Sequence, residues 1–182
     1  MKKAYSLFSE ANDEIVRQWL ESVWGKRSEY VQYRFVEGAL PIIEKSMRVE
    51  VRMPTLAEKI TLHHRDGFNC RFCGIPVIRK EVRVYLHKLY PEAIPWGRKN
   101  IMQHAAFQAL WAQYDHILPH ARGGSNHLDN MVVTCAACNF GRMDFTLDEV
   151  GLQDPRFRTP CLTEWSGLEE VLPSNKRIEL LS

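Results

Sequence analysis

Two pairs of closely spaced cysteines constrain this chain more than any other feature of its sequence. Cys70 and Cys73 form one Cys-x-x-Cys pair, Cys135 and Cys138 form the other, and residues 74–134 separate them. Tetrahedral zinc sites take two such pairs, because each pair supplies two thiolates from one tight turn and the two turns face each other. We therefore predict a structural Zn²⁺ bound by all four thiolates. Binding of this kind stabilises small zinc modules by on the order of 10 kcal/mol.

Other interpretations of these cysteines fit less well. A thiol redox protein uses one Cys-x-x-Cys pair, usually where a helix opens after a strand, so two pairs argue against that class. Two lysines at the N-terminus lack the apolar run of a signal peptide. We therefore expect a cytoplasmic protein, in which cysteine pairs bind metal more often than they form disulfides. Cys161 has no partner pair, and we expect a small buried apolar side chain there.

The composition is that of an ordinary globular protein. The chain has 182 residues, of which 45% are hydrophobic and 25% are charged, enough for one domain with an appendage. Because no stretch approaches the roughly 20 apolar residues that cross a membrane, we expect no membrane span. The net charge is only +2, although residues 61–160 are mildly basic. This is a weak form of the charge pattern that DNA-binding proteins carry.

Hydrophobic periodicity divides the chain into three parts. Residues 1–53 are predicted to form a mainly helical N-terminal segment, and residues 151–182 a tail that packs on the core. Between them lies the main domain, residues 54–150, which includes a helical insertion over about 79–113. Within the N-terminal segment we predict helices over 9–24 and about 28–38 and an alternating strand over 47–53.

Capping signals predict the helices of the main domain. Thr55 and Glu58 have the spacing of a capping box for a helix that runs to about His64. His63 and His64 at its end are expected to complement the helix dipole or to lie on the surface. In the insertion, one helix should stop before Pro91 and a second should be capped by Asn100.

Acid, imidazole and amide side chains precede and follow the second cysteine pair. In chain order these are Asp115-His116, a loop with Gly123-Gly124, Asn130, an apolar strand and Cys135-x-x-Cys138-Asn139. A neutral imidazole can take a proton from water, and carboxylate and amide oxygens suit Mg²⁺ or Mn²⁺. Beside a four-thiolate site, this set indicates metal-dependent hydrolysis of phosphodiesters.

This stretch resembles the HNH endonucleases. The resemblance rests on Asp115-His116, Pro119, Gly123-Gly124, Asn130 and Cys135-x-x-Cys138-Asn139, and residues 65–74 are similar to the family's lead-in. It covers about residues 56–145 and implies an α+β fold whose ββα-metal nuclease core carries the four-cysteine zinc knuckle. The last residue of the name-giving trio is Asn139 rather than histidine, a variant that the family accepts.

The resemblance also implies a role for each site residue. His116 would be the general base, and Asp115 and Asn139 would hold a catalytic Mg²⁺ or Mn²⁺. Asn130 would brace the loop and hold His116 in orientation. For binding substrate phosphates the candidates are Arg142, which shares a helix face with Asn139, and Arg122 in the loop. His120 and His127 are expected to be exposed loop histidines.

The sequence therefore predicts an HNH-type endonuclease that hydrolyses DNA. The alternative is a zinc-stapled module that binds nucleic acid or a partner protein without catalysis. The intact acid, imidazole and asparagine argue against this alternative, because binding needs none of them. With no separate specificity domain evident in the sequence, a recruiting protein partner or a homodimer is a further hypothesis.

Overall fold

The computed structural model describes Gln18 and residues 34–50 and 53–180. Apart from Gln18, which is helical, the predicted helix over 9–24 lies outside the described residues. Residues 34–50 contain one 3-10 turn, Lys45–Met47, and otherwise irregular backbone. The predicted helix over 28–38 therefore does not include residues 34–38, and residues 28–33 lie outside the described part.

The predicted strand over 47–53 is wrong wherever its residues are described. Met47 belongs to the 3-10 turn, and Met47, Val49 and Met53 expose 76%, 52% and 65% of their surface. The segment contacts a loop instead of a strand, because the Val49 carbonyl bonds to the His120 imidazole and the Glu50 carbonyl accepts from the Asn126 side-chain amide at 2.7 Å. An alternating hydrophobic pattern forms a strand only where a neighbouring strand pairs with it through backbone hydrogen bonds.

Helix α1 (Leu56–Asp66) begins with the predicted capping box. The Thr55 hydroxyl accepts from the Glu58 amide at 3.3 Å, and the Glu58 carboxylate accepts from the Thr55 amide at 2.8 Å. The helix ends at Asp66, two residues after the predicted end at His64. Gly67 follows as the C-cap, with φ of 70°. His64 is exposed as expected, whereas His63 is fully buried, which corrects its predicted surface position.

The insertion contains helices α2 (Lys80–Leu89) and α3 (Ala105–Ala109). Helix α2 ends before Pro91, as predicted. The predicted cap of the second helix is wrong, because Asn100 opens a separate 3-10 turn and the His104 imidazole caps α3. The Asn100 carbonyl accepts from the Gln108 side chain at 2.8 Å, which ties the 3-10 turn to α3.

Two strands and a helix follow without interruption by other helices or strands. Strand β1 (Ala112–His116) pairs antiparallel with β2 (Met131–Cys135), in a register that sets His116 opposite Met131. Helix α4 (Ala136–Arg142) starts directly after β2 and packs on both strands. The described chain is thus a mixture of helices with one small two-stranded sheet.

The described core contains two large clusters of buried hydrophobic residues. One cluster joins Leu62 of α1 and Phe68 to Val133 of β2, and a second joins Val82 of α2 to Ile94. The tail crosses both clusters with 3-10 turns, and its Leu172 and Ile178 are buried. Among the described residues, no helix combines the length and apolarity needed to cross a membrane.

Candidate metal centre and active site

The four predicted zinc ligands converge on one point. Their sulfur atoms all lie within 4.8 Å of one another, although Cys70 and Cys73 come from a loop and Cys135 and Cys138 from the junction of β2 with α4. In the loop, the Gly74 amide donates to the Cys70 carbonyl at 2.9 Å, and Gly74 adopts φ of 79°, which few other residues tolerate. The sequence therefore builds two facing turns that fit a tetrahedral cation.

The chemistry of this donor set also favours a bound cation. Hydrogen bonds from the other thiols, Cys135 first, lower the pKa of Cys70, and hydrogen bonding to Cys135 raises the pKa of Cys138. Four thiols this close cannot all ionise unless a positive charge lies among them. Soft thiolates in a four-sulfur set select zinc over Mg²⁺ or Ca²⁺.

Cys161 does not belong to this set. It is exposed rather than buried, which corrects the sequence-based expectation. It lines a cavity of about 190 Å³ together with Cys70 and Cys73. The tail around it is irregular, and residues 161–164 are all exposed.

Asp115 is buried at the end of β1 and bound by Arg142 of α4. Both Nε and Nη2 of Arg142 donate to Oδ2 of Asp115, at 3.1 and 2.7 Å. Burial raises the pKa of Asp115, and the Arg142 charge opposes that rise. Arg142 also donates to the carbonyls of His116, Ile117 and Phe145 and is only 2% exposed. A substrate phosphate could reach this guanidinium only by displacing those partners.

The imidazole of His116, the last residue of β1, contacts the loop, whereas its backbone carbonyl accepts from Arg142 of α4. Its Nε2 lies 3.1 Å from Oδ1 of Asn126, and Nδ2 of Asn126 donates to the Glu50 carbonyl at 2.7 Å. Because a carbonyl can only accept, the amide oxygen of Asn126 must face the imidazole, and Nε2 must carry the proton. In neutral His116 the lone pair is therefore on Nδ1.

Asn130 holds the loop together but is not bonded to His116 in the described contacts. Its Oδ1 accepts from the Leu118 amide at 2.8 Å, and its Nδ2 donates to the carbonyls of Leu118 and Ser125 at 3.1 and 2.9 Å. A Cβ on Gly124 would lie 1.9 Å from the Leu118 carbonyl oxygen, so only glycine fits between these bonds. Asn130 thus joins Leu118 and Ser125 across the loop, while the residue bonded to the imidazole is Asn126.

Asn139 lies on α4 one turn before Arg142 and is half-buried. Residues three apart share a helix face, and Arg142 on that face reaches Asp115. By this spacing, Asn139 lies on the same face of α4 as Arg142. Neighbours in a regular strand point to opposite faces, so Asp115 and His116 can serve one site only where the strand ends, and β1 ends at His116.

The other predicted loop residues have protein partners. Arg122 donates to both carboxylate oxygens of Glu149 at 3.1 Å and to the backbone carbonyls of Leu40 and Asp144. His120 is half-buried, in contrast to its predicted exposure, because its Nε2 bonds to the Val49 carbonyl.

His127 is exposed as expected and pairs with Asp129 at 3.2 Å.

Local sequence patterns did not predict the contacts that Asn126 and Asp66 make. Asn126 appeared only as a polar loop residue, and its role depends on the Glu50 carbonyl, which is distant in the chain. Asp66 is fully buried and accepts from Arg65 at 2.8 Å and from the Val133 amide at 3.0 Å, which joins α1 to β2. Both roles arise from long-range contacts that local spacing does not encode.

Comparison with known proteins supports the resemblance given by the motifs. A family model described as HNH endonuclease matches residues 105–152. This segment contains α3, β1, β2, α4 and the second cysteine pair. No curated protein and no solved structure matches the chain. The resemblance to HNH endonucleases is therefore confirmed over residues 105–152.

Proposed function

We propose that this protein is a metal-dependent HNH endonuclease that hydrolyses DNA phosphodiester bonds. The observation that carries the proposal is the His116 imidazole, held at the end of β1 by Asn126 within the segment that matches the family. In this proposal β1, β2 and α4 form the ββα-metal core. The four cysteines hold a structural zinc that fixes the start of α4.

His116 acts as the general base through Nδ1. Because its Nε2 proton is donated to Asn126, Nδ1 is the nitrogen that can accept a proton from an attacking water. Asn126 keeps the imidazole in this tautomer, and Asn130 keeps the loop that carries Asn126 in place. The half-buried position of His116 leaves part of the ring accessible to water.

Asp115 and Asn139 would hold the catalytic Mg²⁺ or Mn²⁺. One carboxylate with substrate phosphate oxygens and waters is a usual Mg²⁺ ligand set, and Arg142 occupies only Oδ2 of Asp115. When bound, the cation would neutralise charge on the phosphate and on the leaving oxygen. Arg142 fixes the orientation of the Asp115 carboxylate, and we propose this positioning role for it in place of phosphate binding.

The net charge of +2 gives only weak attraction to DNA, so we retain a recruiting protein partner or a homodimer as part of the proposal. We expect the protein to act in the cytoplasm, where its thiols stay reduced and available to zinc. Affinity purification from native lysate that returns only the monomer would count against a partner.

The test of this function uses supercoiled plasmid with and without added Mg²⁺ or Mn²⁺. We expect nicked or linear DNA only when the cation is present. The competing hypothesis, a zinc-stapled binding module, predicts a shift of plasmid mobility by binding and no change of topology after the protein is removed. Intact supercoiled plasmid across a range of cation concentrations and duplex sequences would therefore favour the module.

A further inference from the structure

A cavity of about 340 Å³ lies between the end of β1, the first cysteine loop and the tail. Four arginines line it, from α1, the cysteine loop and the tail: Arg65, Arg71, Arg156 and Arg158. A water molecule takes up about 30 Å³ in the liquid, so the cavity has room for a phosphate group together with several waters.

Two of the four arginines are neutralised by carboxylates. Arg65 forms two hydrogen bonds of 2.8 Å with Asp66, and Arg156 pairs with Asp154 at 2.6 Å. Asp129 also lines the cavity, and its side chain is 84% exposed. Asp66 is shared with Arg71, so among the described residues Arg158 alone of the four arginines has no carboxylate partner.

Arg71 is the deepest of these cations. It is 6% exposed, its Nη2 donates to the carbonyls of Pro155 and Arg158, and its buried Nε has no hydrogen-bond partner among the described residues. The nearest carboxylate oxygen, on Asp66, is 3.4 Å from that Nε without forming a hydrogen bond. Burial lowers the pKa of Arg71, the Asp66 carboxylate partly opposes this, and the neighbouring charges of Arg158 and Arg65 lower the pKa further. A bound anion would offset both lowering effects.

Arg158 lies at the outer side of the same cavity. It is exposed, and its described side-chain hydrogen bond, from Nη2 to the Phe72 carbonyl at 3.3 Å, uses one of five guanidinium donors. Guanidinium donors match the geometry of phosphate oxygens. A buried cation and an exposed cation thus border one cavity from two sides.

We propose that this cavity is a phosphate-binding site, occupied by a backbone phosphate of the DNA next to the scissile bond. The assignment rests on the proposed nuclease function for its DNA source. Ile117, which lines the cavity, directly follows His116 in the chain. A DNA strand carries a phosphate about every 3.4 Å along the helix axis, so a strand cut at His116 has further phosphates within reach.

Equilibrium binding without added divalent cation tests this site separately from cleavage. Fluorescence anisotropy of a labelled duplex is measured from 50 to 200 mM salt for wild type, Arg158→Gln and the control Arg177→Gln. Arg177 carries the same charge but bonds to tail carbonyls away from the cavity. We expect Arg158→Gln to weaken binding and to reduce the slope of log K against log salt by about 0.9, the value for one phosphate contact. Equal slopes in all three proteins would overturn the proposal.

Asp129→Asn provides a test in the opposite direction. Removal of the carboxylate that borders the cavity should strengthen duplex binding, and weaker binding would contradict the site. Titration with inorganic phosphate, followed by calorimetry, separates the two sources of the anion. Phosphate binding that Arg158→Gln abolishes, with the DNA slope unchanged, would overturn the assignment to DNA. A protein that shows the predicted slopes but never cleaves plasmid would contradict only the nuclease function.

Discussion

In the proposed mechanism, single residues decide whether His116 can work as a base. Its imidazole is held through Asn126, which in turn is held by a backbone carbonyl at Glu50. The tautomer of His116 therefore depends on a segment far away in the sequence. This chain of contacts gives Asn126 a positioning role that activity measurements can separate from a purely structural one.

Replacing Asn126 by Asp should shift the pH profile of cleavage. A carboxylate next to Nε2 attracts the positively charged form of the imidazole. Because the base must be neutral to accept a proton, the acidic limb of the rate profile should move to higher pH. Asn126→Ala adds no charge and should lower kcat by roughly tenfold or more while leaving that limb in place. An unchanged limb in Asn126→Asp would show that Asn126 does not touch the working imidazole.

His63 should make the fold sensitive to acid. It is fully buried, stacks on Phe68 with ring centres 4.4 Å apart, and bonds through Nδ1 to the Gly67 carbonyl at 2.9 Å. Burial lowers its pKa to about 4 from 6.5. As the pH falls, His63 therefore binds a proton in the unfolded chain at a higher pH than in the folded protein.

The contribution of neutral His63 to the free energy of unfolding is fully present above pH 6.5. It is lost as the pH falls towards 4, by about 3 kcal/mol in total. Denaturant titrations between pH 7 and pH 4 measure this loss. His63→Gln should remove that part of the dependence, whereas His64→Gln, at an exposed neighbour, should retain it. Parallel stability curves for wild type and His63→Gln would refute the effect.

Residue patterns predicted those features of the fold that depend on neighbours in the chain. The Thr55 and Glu58 capping box and the stop before Pro91 follow from backbone geometry within one turn, and both are present. The predictions of a strand over 47–53 and a cap at Asn100 were wrong. Loop side chains bond to backbone carbonyls of the first segment, and the Gln108 side chain bonds to the Asn100 carbonyl. The burial of His63 and the hydrogen bond from His116 to Asn126 likewise depend on contacts between residues that are distant in the chain or brought together by the fold.

At the scale of elements, the two cysteine turns join the loop at Cys70 to the start of α4. Cys135 is the last residue of β2 and its sulfur accepts from the Cys138 amide at 3.4 Å. A cation held here fixes the sheet, the loop and α4 against one another. Because α4 carries Asn139 and Arg142, a metal ion bound by the four cysteines would indirectly position the proposed active site.

Cys135→Ala should lower both zinc content and stability. Three remaining sulfurs bind zinc more weakly, and the binding free energy is part of the folding free energy. Elemental analysis of the purified protein and its thermal midpoint measure the two effects. Cys161→Ala is the matched control, since Cys161 is exposed and outside the four-sulfur cluster, and it should match the wild type. A stable and active Cys135→Ala protein without zinc would contradict the structural role.

At the scale of the whole molecule, one buried ion pair fastens the tail to the core. Arg79 and Glu169 lie 2.6 Å apart, with side chains 1% and 4% exposed. Glu169 also accepts from the Ile178 amide at 2.8 Å, which fixes the last buried residues of the tail. The tail in turn supplies Arg156 and Arg158 to the proposed phosphate site.

Glu169→Gln should destabilise the protein by about 3 kcal/mol, because the buried Arg79 would keep only a longer contact of 3.6 Å with the partly exposed carboxylate of Glu81. Glu170→Gln is the control. Its carboxylate is exposed and accepts from the Ser166 hydroxyl, so little change in the free energy of unfolding is expected. Urea unfolding of both variants measures the difference. Equal midpoints would mean that the tail does not depend on this pair.

The central claim is that His116 activates water for DNA hydrolysis. Its most direct test is a plasmid cleavage assay with Mg²⁺ or Mn²⁺, with wild type beside His116→Ala after both are confirmed to contain zinc. The account predicts nicked or linear plasmid from the wild type and intact supercoiled plasmid from the variant. Equal cleavage by the two proteins would contradict it.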